Sequence, residues 1–362
     1  MPLKPVAACC AMVLAAAAAA ASSGSLSSVT VVIDDGRSLS AAERERVDRA
    51  LEVAQRRYDE WLGTSTTELA APIRVRRPWW SSPASMALES QVAFALAQAR
   101  LSHLRNADDW VEGIAWHLQS RVVEELFDYA QHQPGHHADT VRLFGGHVHW
   151  ELPILALPRG AHDDRAPHDV QHRAAVIATL EGVVGWPALA GALRVVATDS
   201  RPAIDADALR TTLESALGIP LDWVTAAMRP DFSVNYTLTE VATRTDQCDG
   251  QPCHETTWTI SRKGPPLFTQ FADGIPIVLE FGPELRSTVW WRDNESNRQF
   301  TVRSGVAPTT VTLDPERRVR LDGNAIDQQW RADGGTRTRP MRSLTAWLVW
   351  LQHAVLTYGV LL

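Results

Sequence analysis

His147-Val148-His149 sets two imidazoles two residues apart. In an extended strand that spacing points both rings to one side and offers a metal two nitrogen ligands. His132, His136, His137, His162, His168 and His172 lie in or beside the same Pro- and Gly-containing stretch, so a histidine-rich exposed loop is the plainer expectation. No resident metal is expected; His147 and His149 are the candidates if one binds. Cys248 and Cys253 form the second constellation, with Asp249-Gly250 between them as a turn signal. An even pair in an exported chain predicts a disulfide closing a small hairpin loop, stabilising by about 2 kcal/mol. The alternative, a two-cysteine metal site completed by His254, lacks a second Cys or His pair nearby. No Gly-x-Ser-x-Gly elbow is present, and Ser, His and Asp residues this numerous identify no triad without geometry. Glu112, near the start of a helical stretch, is a further carboxylate whose plain reading is a favourable interaction with the helix dipole.

The elements that must position these residues fall into two groups. Val29 to Ile33 and Ile73 to Val75 predict short strands, and Ser40-Ala41-Ala42-Glu43 is a capping box opening a helix to about Leu62. After Pro83, Leu88, Val92, Ala95, Leu96 and Ala99 recur at helical spacing. Further helices are expected from Asp109 to Ala130, from His172 to Leu193 with a break at Gly185-Trp186-Pro187, and from Ala206 to Leu217 stopped by Gly218. Beyond Phe232 the pattern changes to alternation in six short runs, 233–241, 256–262, 275–281, 288–292, 298–302 and 309–314, which predicts an antiparallel sandwich or sheet.

The expected organisation is therefore α+β: a mostly helical domain over 29–229, an antiparallel β domain over 230–335, and a boundary near Arg229-Pro230. Lys4, the apolar run Val6 to Ala21 and the small residues Ser22, Ser23 and Gly24 have the layout of a secretory signal peptide. Residues 1–28 are accordingly set apart from the mature fold. At the other end, residues 343–362 contain no Asp, Glu, Lys or Arg, and predict a hydrophobic helix long enough to cross a bilayer. Arg337, Arg339 and Arg342 before it oppose the positive-inside bias. A membrane-surface or domain-packing helix is the alternative.

A formal net charge of -7 without long basic runs gives no footprint for nucleic acid, which is excluded as a partner. Lys4 and Lys263 are the only lysines, so 33 of the 35 Lys and Arg residues are arginine.

Three stretches carry a resemblance to a known family. Val92-Ala93-Phe94-Ala95-Leu96-Ala97-Gln98 resembles Val-Ala-His-Glu-Leu-Ala-His, the zinc helix of the aminopeptidase N gluzincins. Asp109-Trp110-Val111-Glu112-Gly113-Ile114-Ala115-Trp116 resembles their Trp-Leu-x-Glu-Gly-Phe-Ala-x-Tyr helix. Residues 309–324, TTVTLDPERRVRLDGN, resemble their Val-Asp-Pro strand and the Leu-Asp-x-Asn turn after it. The resemblance implies a thermolysin-like helical peptidase domain, of a shortened bacterial type, ahead of the β domain.

It also implies that the zinc site is degenerate. In the family, two histidines one turn apart and a glutamate from the next helix hold zinc, and a glutamate beside the first histidine acts as base. Carried over residue by residue, the first His is Phe94, the base is Ala95, the second His is Gln98, and only the third ligand survives, as Glu112. The thirteen residues between Gln98 and Glu112 are fewer than the family keeps, and the position of its catalytic tyrosine falls at Val170 or Gln171. No Gly-x-Met-Glu-Asn motif precedes the zinc helix.

The expectation is thus an exported, periplasmic or envelope protein, membrane-associated through 343–362, with no catalytic residues and no cofactor. A peptide or protein is the expected ligand. The enzyme alternative is a zinc metallopeptidase that recruits His103, His117 or the His147/His149 pair. The third alternative is a purely structural envelope protein. Phe94 is expected either to plug the former metal cavity or simply to belong to the core.

Overall fold

The computed structural model describes residues 31–33, 39–63, 72–75, 87–104, 107–126, 167–199 and, with short breaks, 201–332. Residues 1–28, expected to be a signal peptide, the histidine pair at 147 and 149, and the hydrophobic segment 343–362 lie outside the described residues.

Strands β1 (Val31–Ile33) and β2 (Ile73–Val75) pair in parallel. Between them runs α1 (Ala41–Leu62), opened by the capping box: Glu43 N donates to Ser40 Oγ at 3.3 Å and Ser40 N to the Glu43 carboxylate at 2.9 Å. Val47, Ala50, Ala54, Tyr58 and Trp61 recur on one face of α1 and are buried. That face packs on α2 (Ala87–Arg100), where the Tyr58 hydroxyl donates to Ala93 O at 2.9 Å. Arg46 clasps the buried Glu89 carboxylate through Nε and Nη2 at 2.5 and 2.7 Å, and Arg100 reaches back to Asp59 at 2.7 Å.

Helix α3 (Asp108–Leu126) lies against α2 and against α4 (Pro167–Val184). The break expected at Gly185-Trp186-Pro187 divides 172–193 into two helices, because Gly185 at φ 82° turns the chain. Helix α5 (Trp186–Ala197) leaves at 118° to α4, with Pro187 in its first turn. No single described helix is long and apolar enough to cross a membrane, although the bent α4–α5 pair passes that test by composition. Helix α6 (Ala206–Leu217) is capped by Asp205 and ends at the left-handed Gly218, and the short α7 (Asp222–Ala227) follows.

The rest is a sandwich of two antiparallel sheets. One has the order β3 (Asn235–Cys248), β4 (Gln251–Lys263), β7 (Asn297–Ser304). The other runs β6 (Arg286–Trp291), β5 (Ile275–Glu280), β8 (Thr310–Leu313), β9 (Gln329–Arg331). Tyr236, Trp258, Ile260 and Phe300 of the first sheet share a core with Ile277, Leu279, Trp291, Val311 and Leu313 of the second. Trp258 stacks on Phe300 at 5.6 Å, and Trp291 meets the Tyr236 ring edge-on at 6.1 Å. The β3–β4 hairpin is longer than expected: pairing continues to Cys248 and Gln251, so its outer part is strand up to a tip closed by the Cys248–Cys253 disulfide. The two cores meet at Trp223, Phe232 and Leu321, which pack against both.

Candidate functional site

Helices α2 and α3 bring together the positions singled out in the sequence. Phe94 is buried and sets its ring edge-on to Trp116 at 5.6 Å. Trp116 follows Glu112 by one helical turn, so Phe94 packs on the same face of α3 that carries the carboxylate. Ala95 and Gln98 are half-buried, and Ala97 beside them is fully buried. Phe94 and Ala95 offer no lone pair to a metal or a proton, and Gln98 offers only an amide.

Glu112 is 7% exposed and is ion-paired with Arg173 of α4, which is itself 5% exposed. Arg173 Nη2 also reaches Asp109 Oδ1, one turn earlier on α3, at 3.0 Å. The approach depends on Gly113: a Cβ there would lie 3.0 Å from Arg173 O and 3.1 Å from Arg173 Cβ. The Glu-Gly pair therefore has a packing reason, with glycine admitting α4 and glutamate receiving its guanidinium. Buried carboxylates need a cation or several donors to stay ionised. Here the cation is an arginine side chain. Arg173 Nε has no hydrogen-bond partner among the described residues.

About two turns further along the seam the roles of the helices reverse. Glu181 of α4 accepts from His117 Nε2 at 2.7 Å and from Arg121 Nη1 at 2.8 Å, both on α3. The Arg121 guanidinium lies 3.9 Å above the Trp186 ring, and Trp61 of α1 meets that ring edge-on at 5.0 Å. Burial pushes the Glu181 carboxyl up, but the hydrogen bond and charge of His117 and the guanidinium of Arg121 outweigh it and hold the group below the usual glutamate range.

Two other described histidines lie apart from Glu112, and only His103 of them was weighed as a substitute ligand. His103 Nε2 lies 3.2 Å from Val196 O, and His172 Nε2 donates to Ala227 O at 2.6 Å. Among the described residues no group of three or more His, Cys, Asp or Glu side chains is arranged to hold a metal ion.

Arg173 and Glu181 were not singled out by the sequence. The signal that could have found them is a lone charge in an apolar run: Arg173 precedes Ala174-Ala175-Val176-Ile177, and Glu181 stands between Leu180 and Gly182-Val183-Val184. A charge in such a run, on a helix with one buried face, implies an opposite charge from another element.

No protein-family model matches the chain, and neither does any curated protein sequence. Among solved structures, the chain is similar to aminopeptidase A of Legionella pneumophila in complex with aspartic acid, at 10% sequence identity and a TM-score of 0.45. The match covers 81% of this chain and 36% of that one, so this chain spans little more than a third of that protein's length.

Proposed function

We propose that this chain is an exported, non-catalytic relative of the aminopeptidase N gluzincins that binds a peptide or protein at the cell envelope. The observation that carries the non-catalytic reading is the pairing of Glu112 with Arg173. The one surviving member of the zinc-ligand set already holds a cation from within the chain, while Phe94 and Ala95 stand where the first histidine and the base belong. A metal at Glu112 must displace a buried guanidinium and then find its remaining ligands among Phe94, Gln98 and backbone, a set unsuited to tetrahedral zinc.

The export and envelope reading rests on the signal-like residues 1–28 and the charge-free segment 343–362. The binding reading rests on the resemblance alone: a relative of peptide-cleaving enzymes can keep its hold on peptides after the chemistry is gone. Export also agrees with the disulfide, which persists in oxidising compartments.

Zinc content of the purified chain after extensive dialysis, read together with chelator-sensitive aminopeptidase activity, tests the non-catalytic reading. Metal far below one zinc per chain and no chelator-sensitive hydrolysis is the expected result. Near-stoichiometric zinc with activity lost to chelator would establish the enzyme instead. A peptide-library selection on the same protein tests the binding role: enrichment of one sequence class is expected, and recovery of no class above background leaves the structural role.

A further inference from the structure

The third stretch of family resemblance, residues 309–324, takes no part in the chemistry of positions 94 to 112, yet it is among the most elaborately tied segments of the chain. We infer that residues 314–322 are a clamp that fixes α4 along its own axis, and with it the meeting of Arg173 and Glu112, so that the β half positions the helical site. Nothing in this clamp depends on whether the site is a relic of peptidase chemistry.

The loop is rigid before it touches α4. Asp314 and Arg317 sit at φ 46° and 54°, a left-handed conformation that non-glycine residues keep only when their surroundings impose it. The buried Asp314 carboxylate accepts from the backbone of Arg318 at 3.0 Å and of Val319 at 2.9 Å, which closes the turn on itself. Arg317 donates to Asp322 O at 3.1 Å. The fully buried Asp322 carboxylate accepts from Tyr236 N at 2.8 Å and Gln328 Nε2 at 2.5 Å, tying the loop to β3 and to the 3-10 turn at 325–328.

From this frame two residues hold α4. Arg318 donates through Nε to Gly182 O at 3.1 Å, while its guanidinium lies 4.6 Å above the Phe271 ring and reaches Gly274 O at 3.4 Å. Leu321 N donates to Thr179 Oγ1 at 3.1 Å. The contact has no slack, since a Cβ on Gly182 would lie 2.2 Å from Arg318 O. The other end of α4 is pinned where His172 donates to Ala227 O, in α7, which leads into the sandwich. The segment leading into the β half and the β8–β9 connection within it therefore grip α4 at two levels.

Gly182 is nine residues from Arg173, about 13 Å along a stiff rod. A slip of one residue, about 1.5 Å of rise with its rotation, exceeds what a hydrogen-bonded ion pair tolerates. The clamp and the Arg173–Glu112 pair thus share one degree of freedom, the position of α4.

Native-state hydrogen exchange on the full chain tests this in Arg318→Met, which keeps the aliphatic stem, and Thr179→Val, which removes the acceptor for Leu321. Both should speed exchange roughly ten-fold or more in α3 from Val111 to His117 and in α4 up to Val176, beyond the change in the loop itself. Faster exchange confined to 314–322 and the adjoining turn of α4, no change at all, or the same increase at every amide of the chain would each overturn the clamp. Phe271→Leu, which only weakens the seat of Arg318, carries the same expectation in milder form should the first two fail to accumulate as folded protein.

Discussion

The α3–α4 seam carries two acid–base clusters that differ in direction and in closure. In one, Glu112 of α3 receives Arg173 of α4, and both side chains are less than a tenth exposed. In the other, Glu181 of α4 receives His117 and Arg121 of α3, and the Glu181 side chain is 22% exposed. Solvent reaches Glu181 itself, whereas at the first cluster it meets only Asp109, half-exposed beside Arg173, and not Glu112. The same chemistry should therefore cost little to disturb at one level of the seam and much at the other, because a charge stranded in a dry site has no solvent to fall back on.

The largest effect should come from Arg173→Ala, which strands Glu112 and should remove about 3–5 kcal/mol of stability in urea unfolding. Adding Glu112→Gln to Arg173→Met should recover more than half of that. A loss under about 1 kcal/mol for the single change would mean that water enters the site and that the two clusters are alike. Next is Phe94→Ala, which opens a cavity against Trp116 and should cost about 3 kcal/mol by the same measurement. A smaller cost would show that this wall of the seam can collapse inward.

Glu181→Gln should be milder, about 1 kcal/mol near neutrality, in keeping with its contact with solvent. Its distinctive signature is pH. The folded carboxyl lies below its unfolded value, so its contribution is present above the ordinary glutamate range and is lost as pH falls through the lowered folded value. The acid limb of a stability–pH curve should therefore flatten in Glu181→Gln; an unchanged limb would place the acid sensitivity elsewhere. The smallest effect should be at the exposed Arg229–Asp231 pair, where Arg229→Ala should leave the melting temperature unmoved.

How far these features could be read in advance depended on how local their causes are. Helix α1 was legible because its capping box and its stripe from Val47 to Trp61 lie within 22 residues. The α4–α5 break was visible at Gly185-Trp186-Pro187, but not its 118° bend, which depends on what each helix packs against. The outer part of the β3–β4 hairpin was missed because residues 242–245 are exposed, so hydrophobic alternation stops where pairing does not. Helix α7 and strand β9, at six and three residues, are too short to show a period. At the site, Glu112 and Phe94 were found through their neighbours in sequence. Arg173 was not, because its partner is 61 residues away and only packing joins them.

Among the described residues, the ion pairs that bind α1, α2, α3 and α4 to one another draw their positive charge from arginine, with His117 adding a hydrogen bond at Glu181. A guanidinium keeps its proton where an ammonium would surrender it, so alkali has little hold on these helix contacts. The weak points lie among the phenols. Tyr58 and Tyr236 are held well above the ordinary tyrosine range, chiefly by burial, so the unfolded chain gives up those protons first. Stability should hold on the basic side until pH climbs through about 10 and then fall as phenolates form in the unfolded state. Of the described residues, buried Tyr58 and Tyr236 are where base should undo this protein while its salt bridges are still intact.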